Sequence, residues 1–118
     1  MKYFRYKEFD SPDLAGSGRR MMNKEFLSFI DSLRGRCKFP FVVSSGFRTH
    51  EYNNSLIESP VASDISIRDS YRRALFIGNA IELSSELDLP IRLGISKTFC
   101  HIDIDTAKGK NSPRIWVY

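Results

Sequence analysis

The residues best equipped for chemistry lie in Phe99-Cys100-His101-Ile102-Asp103-Ile104-Asp105. Strict alternation predicts a strand with Phe99, His101, Asp103 and Asp105 on one face and Cys100, Ile102 and Ile104 on the other. Carboxylates two residues apart repel one another and are costly to desolvate unless a cation or a basic side chain lies over them. The plain alternative is a half-solvated sheet with a polar outer row.

Two further stretches carry matching chemistry. Ser45-Gly46-Phe47-Arg48-Thr49 places a guanidinium after a glycine at a strand end. Such an arginine can hold a carboxylate through two parallel hydrogen bonds or stabilise a developing oxyanion. It could equally be structural, pairing with Glu51 or Asp64. Ala62-Ser63-Asp64-Ile65 sets a carboxylate on the polar side of a strand. An aspartate and a histidine from separate strands supply the ligand chemistry of a hydrolytic zinc site, which takes three protein donors and leaves a fourth position for water. His50, the other of the two histidines, is either a third donor or an exposed loop residue.

The elements that must position these groups can be read in order. Aromatic residues Tyr3, Phe4, Tyr6 and Phe9 predict an N-terminal arm packed onto the domain by its rings. Ser11-Pro12-Asp13 and Gly16-Ser17-Gly18 predict a loop. Asn23 caps a first helix, with Met22 and Leu27 as a hydrophobic staple and Phe26, Phe29, Ile30 and Leu33 as its apolar face. Gly35 and residues 38–40 end it. Strands follow at residues 39–48 and 62–68, with a polar, broken stretch at 50–61 between them. Asp69 caps a second helix to about Glu86, with Tyr71, Leu75, Gly78 and Ile81 on one side and Ile77 and Leu83 nearby. Strands at 91–96 and 99–105 and an edge strand at 114–118 complete an α+β fold: a small antiparallel sheet of four to five strands with two main helices.

The chain of 118 residues is read as one domain, residues 1–118, long enough to bury a core without staples. Its net charge of +4 is spread over separated pairs, among them Arg19-Arg20 and Arg72-Arg73, which suits solvated faces better than a phosphate-tracking stripe. Cys37 and Cys100 fit no metal or redox spacing and read as small buried hydrophobes. No apolar run reaches the length of a membrane span. The basic, aromatic start has no export core, so synthesis in the cytoplasm without a signal peptide is expected.

The chain resembles the zinc D-Ala-D-Ala carboxypeptidase family, which cuts peptidoglycan stem peptides on the hedgehog/DD-peptidase fold, in its compact phage-type single-domain form. The resemblance covers nearly the whole length. It runs through Tyr-Lys-Glu-Phe-Asp-Ser-Pro-Asp at 6–13, the first helix, Ser-Gly-Phe-Arg-Thr at 45–49 and Ala-Ser-Asp-Ile at 62–65. It continues through Gly-Ile-Ser-Lys-Thr-Phe-Cys-His-Ile-Asp-Ile-Asp at 94–105 and the terminal Ile-Trp-Val-Tyr. It implies Asp64 and His101 as the second and third zinc ligands and Arg48 as the residue that binds substrate or the oxyanion. Asp103 lies where an acidic residue could orient the last histidine or assist a proton transfer. Better-known relatives place their catalytic acid just before that histidine, where this chain has Thr98 and Phe99.

One departure is marked. The family's His-x-x-Gly-x-Ala-x-Asp pattern supplies the first ligand; here Ala62 and Asp64 fit, but Ile57 stands at the histidine position and Pro60 at the glycine. The segment between Arg48 and Asp64 is also several residues shorter than usual. An isoleucine cannot coordinate a metal, and two protein donors hold zinc poorly.

The expected function is therefore a zinc-dependent, metallopeptidase-like protein that hydrolyses D-Ala-containing bonds of a peptidoglycan stem peptide or cross-bridge, acting on the cell wall as a monomer. The alternative is an impaired family member that binds wall peptides without cleaving them. A third reading, a basic nucleic-acid-binding module, is suggested by the positive charge and 13% aromatic content, but finds no recognisable motif.

Overall fold

The computed structural model describes residues 1–53, 60–106 and 111–118. A 3-10 turn at Tyr6–Phe9 leads to helices α1 (Ser17–Met21) and α2 (Lys24–Cys37), strand β1 (Val42–Ser45), helix α3 (His50–Asn53) and strand β2 (Ala62–Ser66). Helix α4 (Ser70–Leu87) and strands β3 (Arg92–Ile95), β4 (Phe99–Asp103) and β5 (Arg114–Val117) follow. The fold is α+β, with two main helices and a five-stranded sheet ordered β1-β2-β4-β3-β5. Three pairings are antiparallel, whereas β5 joins β3 in parallel.

Local signals account for the two main helices. The Asn23 side chain accepts a hydrogen bond from the Phe26 amide at 2.9 Å, and the Asp69 side chain one from Arg72 at 2.7 Å. Each satisfies an amide that the first helical turn leaves without a partner. Both helices end on a residue in the left-handed conformation, Lys38 (φ 60°) and Asp88 (φ 49°). Helix α2 passes through Gly35 to Cys37 and buries Phe26, Leu27, Phe29, Ile30, Leu33 and Cys37.

Helix α4 corrects the expected apolar face. Phe76, Ala80 and Leu83 are its buried residues, whereas Tyr71 and Ile81 are 75% and 55% exposed. Apolar side chains lie on both sides of this helix, so periodicity could not choose between them; packing against α2 did. Leu75 lies at the edge of the core. Ser17 and Gly18, expected as loop, instead open the short α1.

Ile65, Leu93, Cys100 and Ile102 form the inner face of the sheet and join one core with the apolar stripes of α2 and α4. Phe4 and Phe9 of the N-terminal arm are buried in the same core, and a file of rings runs Phe9, Phe4, Phe41, Phe76. Both cysteines are free and buried. Among the described residues, no helix is long and apolar enough to cross a membrane.

Candidate functional site

The opposite face of the sheet carries the polar row. Ladder register puts Ser45, Asp64, His101, Gly94 and Trp116 side by side across β1, β2, β4, β3 and β5. Directly opposed residues share a face, so His101 has Asp64 on one flank and Gly94 on the other.

His101 bridges two carboxylates. Its Nδ1 lies 2.8 Å from Asp64 Oδ1, and its Nε2 lies 2.7 Å from Asp103 Oδ2. Burial by itself would lower the imidazole pKa. Hydrogen bonds to Asp103 and Asp64, together with their negative charge, outweigh that and raise it to about 9. At neutral pH the ring is a cation donating through both nitrogens. The alternating strand thus provides its own compensation for the charge repulsion expected from sequence. Asp103 is almost fully buried; its Oδ1 accepts the Asp105 amide at 3.0 Å and its Oδ2 lies 3.5 Å from Arg92 Nη1.

Trp116 walls the other flank. Its ring centroid is 5.6 Å from that of His101, with the Arg92 guanidinium 5.2 Å from the indole centre. This seat exists because residue 94 is glycine: a Cβ there would come within 2.7 Å of the indole. The sequence does not single out Arg92, and Gly94 and Trp116 figure there only within longer stretches, with no role at the site. The alternation of residues 91–95 offered a hint, but only register brings Arg92 opposite Asp103 and Gly94 opposite His101.

Arg48 reaches the same cleft from the loop after β1. The pairing of β1 with β2 shifts register between Val43 and Ser45, and this bulge opens the sheet edge. A cleft of about 240 Å³ results, lined by Ser45, Gly46, Arg48, Ala62, Asp64 and His101. Arg48 Nη1 donates to the carbonyls of Phe47 (3.0 Å) and Asp10 (3.5 Å), Nη2 donates to Ser44 (3.1 Å), and the guanidinium lies over Tyr52. Among the described residues it makes no ion pair with Glu51 or Asp64, so the structural pairing weighed from sequence is not the one formed.

The arm at residues 6–13 holds this loop. The Phe47 amide donates to the Phe9 carbonyl at 2.8 Å, and a Cβ at residue 46 would come within 2.5 Å of the Phe9 backbone. Thr49 Oγ1 donates to Asp13 Oδ2 at 2.7 Å and receives the Tyr52 amide at 3.1 Å. Hydrogen bonds from Ser11 and Thr49 hold the Asp13 carboxyl below its ordinary pKa.

The structure therefore brings Arg48, Asp64 and His101 to one cleft, with Asp103 behind the imidazole. His50 does not join them: it lies on α3 with Nε2 2.8 Å from Glu51. Ile57 lies outside the described residues, while the Pro60 carbonyl accepts the Asn23 amide at 2.9 Å. As a test for zinc, Asp64 and His101 Nδ1 adjoin but share a hydrogen bond at 2.8 Å, so the imidazole would have to give up its Nδ1 proton before the pair could act as donors. The bond from Nε2 to a buried carboxylate is the kind that orients a metal-ligating histidine. No group of three metal-binding side chains occurs among the described residues. Comparison with protein-family models, curated proteins and solved structures finds no match.

Proposed function

We propose that the protein is a metallopeptidase-like relative of the zinc D-Ala-D-Ala carboxypeptidases, directed at D-Ala-containing peptides of peptidoglycan. The observation that carries this reading is the placement of His101. One ring nitrogen is anchored on buried Asp103, and the other faces Asp64 in an open cleft that Arg48 also lines. Asp103 sets the plane of the imidazole and Arg92 braces Asp103. Arg48, already fixed on three carbonyls, offers the remaining edge of its guanidinium to a substrate carboxylate or oxyanion. Asp64 and His101 are the residues that would hold zinc, which when bound polarises a scissile carbonyl and lowers the pKa of its water.

The test is zinc content and D-alanine release measured on one preparation. About one zinc per chain, with turnover of a stem pentapeptide that His101→Ala and Asp64→Ala both abolish, is the expected result. Zinc at background in the presence of stoichiometric metal, with no turnover, overturns hydrolysis.

A second reading keeps the cleft and drops the reaction. It is favoured by Ile57 and Pro60, which stand where the family pattern carries its first histidine ligand and its glycine. Retention on purified peptidoglycan without D-alanine release, weakened by Arg48→Ala, would identify a wall-peptide binder.

A further inference from the structure

One of the basic pairs that look scattered along the chain, Arg19-Arg20, meets two further cations from the N-terminal arm. Arg5 precedes the 3-10 turn and Lys7 lies within it, Arg19 and Arg20 belong to α1, and all four line a single cleft of about 550 Å³. We propose that this cleft is a site for a phosphodiester-bearing anion, separate from the Asp64–His101 cleft and independent of the function read there.

Three features make it a built site. The one carboxylate in its wall, Asp10, is turned onto backbone: Oδ2 takes the Gly16 amide at 3.0 Å and Oδ1 the Gly18 amide at 2.7 Å. Gly16 reaches that position through a left-handed backbone (φ 83°), and a Cβ at residue 18 would overlap the Tyr6 carbonyl at 2.1 Å. These glycines are what let α1 close against the turn. The cations, by contrast, are left without a carboxylate partner: among the described residues none of the four forms an ion pair.

Phosphodiester chemistry suits this composition. Three guanidinium groups offer planar forks that match phosphate oxygens, and several like charges around one space favour a ligand with repeated negative charge. The Tyr6 ring is already occupied, with Arg19 4.2 Å and Lys24 4.7 Å from its centre. Stacking of a base on it is therefore disfavoured, and binding runs through charge without sequence preference.

The experiment measures binding by fluorescence anisotropy at low and moderate salt. The probes are a labelled oligo-dT, poly(glycerol phosphate), and poly-glutamate of matched charge. Expected is binding to one or both phosphodiester probes, with log affinity falling against log salt at a slope of about −2 to −3. Arg19→Gln/Arg20→Gln and, from the other wall, Arg5→Gln/Lys7→Gln should each weaken it about tenfold and flatten the slope by about 1 to 1.5. Binding confined to oligo-dT identifies nucleic acid as the source, and binding confined to poly(glycerol phosphate) identifies a wall polymer. The proposal is overturned by no binding at low salt, by poly-glutamate binding as tightly as the phosphodiesters, or by an equal loss in Arg68→Gln/Lys97→Gln, which removes the same charge elsewhere.

Discussion

His101 and Asp64 stand directly opposite each other on the β2–β4 ladder, with Nδ1 and Oδ1 2.8 Å apart. Asp103 takes the other ring nitrogen from two positions along the same strand. Charge compensation on this face is therefore internal: one imidazolium serves two carboxylates, and Arg92 stands behind the buried one.

That arrangement makes stability pH-dependent with a definite sign. The folded-state pKa of His101, about 9, lies above its ordinary value of 6.5. The protonated ring therefore stabilises the fold fully below about pH 6.5, and that contribution is lost as pH rises through about 9. Urea midpoints of wild type and His101→Asn, compared at pH 6 and pH 9.5, should show the wild-type advantage shrinking by on the order of 2 kcal/mol. An advantage constant with pH would contradict the bridge.

Gly94→Ala should act on Trp116. The added methyl would meet the indole at 2.7 Å, so the ring must move, at a cost of about 1–3 kcal/mol. Trp116 is the single tryptophan, so its emission reports this displacement without a label. An unchanged spectrum and an unchanged denaturation midpoint would argue against the seat described.

The cysteine thiols should be silent in the native protein. Burial pushes both Cys37 and Cys100 up to about 11, which leaves little thiolate at pH 8. A thiol reagent at that pH should modify neither in native protein and both in denaturant. Fast native labelling of either would place it at the surface.

Asn23→Ala should remove the cap of α2 and cost about 1 kcal/mol, read as a shift in denaturation midpoint, because the Phe26 amide loses its acceptor. Asn23→Ser should recover most of it. Equal loss in both would mean that the side chain acts otherwise than as a cap.

Much of this protein was written locally. Asn23 and Asp69 mark helix starts because a cap involves residues three apart, and residues 99–103 declare a strand because alternation is a property of neighbours. Ala62, Asp64 and Ser66 separate from Ser63 and Ile65 for the same reason. The chemistry of Arg48, Asp64 and His101 was visible as residue types in suggestive contexts.

What the chain order could not state is which strand lies beside which, and in what register. That choice, made by burial of Ile65, Leu93, Cys100 and Ile102 against α2 and α4, set Asp64 opposite His101 and Gly94 beneath Trp116. It selected Phe76, Ala80 and Leu83 over Tyr71 and Ile81 as the inner side of α4. It also folded Arg5 and Lys7 against Arg19 and Arg20. Such relations depend on contacts between residues far apart in sequence, and only the packed core decides which of the locally permitted faces turns inward.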